Sequence, residues 1–214
     1  MTAPSIAYRI APRGAGITEH PIPSEGIDIG DGTRLMPGCE DEHWRAWTLS
    51  RVAEIVSRCA PWATTWCAPH ISEGGDWWGG RCLPDCQVLA LATASCAAFV
   101  TVTAYHEIGH AADGYMLPGT LATLYEATAV LDWPGEYLAS TGERHARFFE
   151  HVCAALDAGA ALHIAPGSAT ETAWQLYSGD FARQRDAAIA AAETAQIAAA
   201  RPSLFARVRE LCHG

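Results

Sequence analysis

The chain has 214 residues, half of them hydrophobic, and a formal charge of −10. That length suits a single domain able to bury a real core. An acidic chain lacks the general attraction for phosphate backbones and anionic membranes, so neither nucleic acid nor a membrane is an expected partner.

Residues 1–38 are rich in glycine and proline and read as an irregular N-terminal arm with one hairpin, signalled by "DG" between short alternating runs. The start, "MTAPSIAYRIAPRGAG", has no apolar core of signal-peptide length, so a cytoplasmic location is expected. From Asp41, "DEHWRAWTLSRVAEIVSRCA" spaces Trp44, Trp47, Leu49, Val52, Ile55 and Val56 as a helix does, and Pro61 closes it. "WATTWCAPHI" reads as a strand, "SEGGDWWGGRCLPDC" as a loop and "QVLALAT" as a short apolar strand. Val88–Tyr105 is apolar enough to weigh as a membrane span. Its alanines and threonines, and the charged "HEIGH" that follows, fit a buried strand and helix better.

The helix expected from about Ala94 to Met116 is stopped by Pro118 and Gly119. Further helices are expected over about Leu121–Leu131, from near Thr141, and through the alanine-rich C-terminal part. Residues 39–214 read as one domain. Of eight cysteines, only Cys82 and Cys86 form a close pair, and no second pair completes a four-ligand zinc set. Isolated buried thiols are the expectation.

The chemistry is concentrated in "AYHEIGHAADGYM". Positions i and i+4 share a helical face, so His106 and His110 are able to offer imidazole nitrogens to one zinc ion. Glu107 projects beside them, placed to take a proton from a water on that ion without joining the ligands. A catalytic zinc takes a third protein ligand. The metzincin continuation, a glycine and then a histidine, is absent, because Asp113 and Met116 occupy those positions. An acid on a later helix is then expected, with Glu126, Glu136 and Glu143 as candidates. Asp113 is placed either to orient a ligand histidine or to cap a turn, and His145 and His151 read as ordinary surface or partly buried histidines.

Through "HEIGHAAD" and "GERHARFF" the chain resembles the glutamate-type zincins. It resembles in particular the anthrax lethal factor-like peptidases and the related zincin domains of phage and plasmid polyvalent proteins. Their second motif is a helix opening with the ligand glutamate, with alanine three and an aromatic six residues on. Glu143, Ala146 and Phe149 match it. The resemblance covers about Val88–Val152, and it departs at Arg147, where lethal factor-like proteins carry a second acid. It implies Glu143 as the third ligand and suggests Tyr137 as a donor to the oxyanion, a packed aromatic being the other reading of that tyrosine.

The expected fold is therefore α+β and zincin-like. A small, mostly antiparallel sheet packs on the active-site helix, "QVLALAT" forms the sheet edge along the cleft, and the C-terminal half is helical. The expected function is zinc-dependent hydrolysis of a peptide or protein substrate, with Glu107 activating the water and passing its proton to the leaving amine. The alternative is a zincin-fold binding or structural protein of a phage or mobile element with little turnover. Oligomeric state is left open.

Overall fold

The computed structural model describes residues 5–39, 41–83, 87–113 and 141–200. The protein is mixed α+β, and the chain forms two compact units, Met1–Ala182 and Arg183–Gly214. In the first unit, β1 (Ile6–Ile10) pairs antiparallel with β2 (Ile17–Pro21) on one side and β5 (Thr64–Ala68) on the other. β5 runs parallel to β9 (Val88–Ala92), and β9 pairs antiparallel with β8 (Gly80–Leu83), giving the order β2-β1-β5-β9-β8. A second, wholly antiparallel sheet has the order β3-β4-β6-β7, built from β3 (Ile27–Gly30), β4 (Thr33–Met36), β6 (His70–Glu73) and β7 (Asp76–Trp78). The "DG" signal is the two-residue turn between β3 and β4, where Asp31 and Gly32 both take positive φ, as this tight hairpin requires.

Side chains alternate across a strand, and here both faces of the five-stranded sheet are covered. Tyr8, Ile10, Cys67, Leu89 and Leu91 belong to the larger core, shared with α1 (Glu42–Cys59), α2 (Ala97–Asp113), α3 (Thr141–Asp157) and α4 (Ala169–Ser178). Ala7, Ala68, Ala90 and Ala92 belong to a second core with Leu35 and Ile71 of the other sheet. Alanines on that side fit close packing of sheet on sheet, while the larger residues meet the helices. The result is three layers: sheet, sheet, helices. Asp41 caps α1, its carboxylate accepting from the Trp44 amide at 3.1 Å. α5 (Asp180–Ala200) supplies the described part of the second unit. Among the described residues no helix is long and apolar enough to cross a membrane.

Three expectations change. The stretch read as an irregular arm supplies four strands, one of them interior to the five-stranded sheet. "QVLALAT" is not the sheet edge, because β9 lies between β5 and β8. Among the described residues the edge is β8, inside the glycine-rich stretch read as a loop, which also holds β7. Such short strands acquire their conformation from pairing and cover rather than from their own residue preferences. The helix expected over Leu121–Leu131 lies outside the described residues. The described cysteines 39, 59, 67, 82, 96 and 153 form no disulfide; Cys59, Cys67 and Cys153 are buried as expected, while Cys39 and Cys96 are exposed.

Candidate metal centre

α2 runs against β8 and β9, and α3 packs along α2. The two helices touch backbone to backbone at one point. A Cβ added at Gly109 would lie 2.9 Å from the Ala146 Cα and 3.2 Å from the Phe149 ring. Ala146 and Phe149 are fully buried there, so the small residue at 146 and the aromatic at 149 serve helix packing.

That approach brings the first turn of α3 over the last turns of α2. The Nε2 atoms of His106 and His110 are 3.1 Å apart. Glu143 sets Oε1 3.6 Å from His106 Nε2 and Oε2 3.4 Å from His110 Nε2. One ligand atom from each of these residues lies within 4.8 Å of the other two, so the trio could hold a metal ion. Donors placed about 2.0–2.2 Å from a tetrahedral zinc are separated from each other by about 3.3–3.6 Å, and the observed 3.1, 3.4 and 3.6 Å lie in or close to that range. Two imidazoles and a carboxylate suit zinc among several divalent metals. Among the described residues no fourth ligating side chain joins the trio.

Glu107 stands beside this group and outside it. Its side chain packs under the edge strand, where a Cβ on Gly80 would come within 2.8 Å of Oε1. The residue is only 6 % exposed. Burial pushes its carboxyl above the ordinary range, partly countered by His106 and His110. Such a carboxyl is a stronger base than an exposed one, as general-base chemistry near neutral pH needs.

Two further charged residues surround the trio. Glu150, buried and about one turn beyond Arg147 on α3, accepts from His106 Nδ1 at 3.0 Å. Arg147 donates from Nη1 to Glu150 Oε2 at 3.0 Å, and its Nε lies 3.3 Å from Glu143 Oε1. Burial on its own would lower the His106 pKa. The close Glu143 carboxylate, the hydrogen bond to Glu150 and the charge of Glu107 outweigh it and raise the value to about 9. Burial opposes ionisation of Glu143, but the two imidazoles hold its carboxyl well below the usual carboxylate range. Three carboxylates around two imidazoles thus make a site that draws positive charge.

The residues expected from sequence at this site, His106, Glu107, His110 and Glu143, come together here. Tyr137, Glu126 and Glu136 lie outside the described residues. Asp113 pairs with His145, its Oδ1 lying 2.5 Å from Nδ1. His145 is fully buried, contrary to its reading as a surface or partly buried residue, because it turns toward the end of α2. Glu150 was missed, although Glu143, Arg147 and Glu150 follow the i, i+4, i+7 spacing of one helical face. No family model, curated protein or solved structure matches this chain.

Proposed function

We propose that the chain is a zinc-dependent peptidase of zincin type. The observation that carries this reading is the placement of Glu107: adjacent to the His106–His110–Glu143 trio, outside it, and directly under a sheet edge. A site serving structure alone has no need of a buried carboxylate held next to its ligands. His106, His110 and Glu143 would hold the zinc, which when bound supplies Lewis acidity toward a carbonyl and lowers the pKa of water.

The remaining chemistry belongs to the chain. Among the described residues β8 is paired with β9 along one side only, and its other side would offer backbone donors and acceptors to an extended peptide. A peptide added there passes over α2 beside Glu107. The Glu107 carboxylate takes a proton from the attacking water and delivers it to the departing amine nitrogen as the C–N bond breaks. Burial and the raised pKa equip one carboxyl for both transfers.

Glu107→Gln is the direct test of this reading. It keeps the size of the side chain and the three ligands while removing the base. With a peptide library and zinc-loaded protein, hydrolysis should fall by about 10²–10⁴-fold with zinc content unchanged. Equal cleavage by parent and variant would overturn the reading of Glu107 as the base, and no cleavage by the parent would leave a metal-binding protein with little turnover.

A further inference from the structure

We infer that Glu150 is a positioning residue for the metal centre, held in place by Arg147. The inference rests on the metal-binding part of the function proposed above. A histidine that ligates through Nε2 must carry its proton on Nδ1, and an acceptor on Nδ1 fixes both the tautomer and the plane of the ring. Glu150 Oε2 lies 3.0 Å from His106 Nδ1, while the same ring turns Nε2 toward His110 and Glu143. The carboxylate therefore fixes His106 in its ligating orientation.

Glu150 is itself buried, and a buried carboxylate without a partner is strongly disfavoured. Arg147 supplies the partner from one turn earlier on the same helix, with Nη1 at 3.0 Å. Its Nε reaches the ligand Glu143 at 3.3 Å, so one guanidinium spans the ligand and the positioning carboxylate. With a dication bound, the formal charges of Glu107, Glu143, Glu150, Arg147 and the ion sum to zero. An acid at position 147 would leave that group with two excess negative charges, so an arginine there and an acid at 150 belong together. The position where the lethal factor-like pattern has an acid is filled here by the cation that anchors an acid one turn further on.

The test is zinc affinity of the full chain, measured by competition with a chromogenic chelator, together with the visible absorption of the cobalt-substituted protein. Glu150→Ala should weaken zinc binding by about 10–100-fold and alter the cobalt spectrum. Glu150→Gln, whose amide oxygen still accepts from Nδ1–H, should recover part of the loss and the parental spectrum. Arg147→Met should cost less affinity in the Glu150→Gln background than in the parent, because its anchoring role is then gone. If Glu150→Ala does not fold, the Gln variant and the double-mutant comparison carry the same test. Parental zinc affinity and cobalt spectrum in Glu150→Ala, or an Arg147→Met cost that is the same in the parent and Glu150→Gln backgrounds, overturn the inference while leaving the metal site standing. A parent chain that binds no zinc overturns both.

Discussion

Gly109 and Ala146 set how near the two ligand-bearing helices come. Alanine in place of a helical glycine normally stabilises by about 1 kcal/mol. Here the added methyl meets the Ala146 backbone at 2.9 Å, and overpacking of this kind costs about 1–3 kcal/mol, so a net loss of stability is expected for Gly109→Ala. Chemical denaturation of the metal-free protein measures it, and a stabilised variant would mean the contact is not tight. The His106 titration gives a second expectation. Its pKa in the folded, metal-free protein is raised to about 9 from an ordinary 6.5, so the proton binds more tightly in the folded state. Its contribution to stability is then complete below pH 6.5 and disappears as pH rises through 9. The thermal midpoint of the chelator-treated protein should fall across that window. His106→Gln should flatten the fall, and an unchanged slope would assign it to other groups.

The elements differ in how far their own residues announce them. α1 and α2 were legible because helical periodicity is local; His106, Glu107 and His110 follow from one i, i+4 pattern, whereas Glu143 is singled out among three acids only by the resemblance carried in "GERHARFF". β8 was not legible. Its "GRCL" has no run of strand-forming residues, and it becomes a strand by pairing with β9 and lying across α2. The glycine that hid it from a propensity argument is what the site requires. At Gly80 any side chain would enter the space of Thr103 and Glu107, its Cβ coming within 2.6 Å of the Thr103 methyl. Gly80→Val should therefore displace Glu107 and reduce peptide hydrolysis by at least about tenfold, a loss of 1.4 kcal/mol in transition-state stabilisation. Zinc content should stay at the parental level, since no ligand touches Gly80. Loss of zinc together with activity would point instead to collapse of α2. The Asp113–His145 pair was hidden for a different reason: it depends on how α2 and α3 meet, which spacing along one helix does not contain.

At the largest scale, the three layers of Met1–Ala182 put the candidate metal centre where two helices converge on the side of the five-stranded sheet opposite the second sheet. The proposed ligands come from α2 and α3, which are separated by a long stretch of chain, so an ion bound there would act as a cross-link and stabilise only the folded state. Excess zinc should raise the thermal midpoint of the parent and leave that of His106→Ala unmoved. The most direct measurement is zinc content per chain after exhaustive dialysis, compared across five proteins. The parent and Glu107→Gln should retain about one zinc per chain, and His106→Ala, His110→Ala and Glu143→Ala should retain almost none, as expected when one of three ligands is lost. A parent without zinc, or a Glu143→Ala protein that keeps the full parental content, would contradict the site.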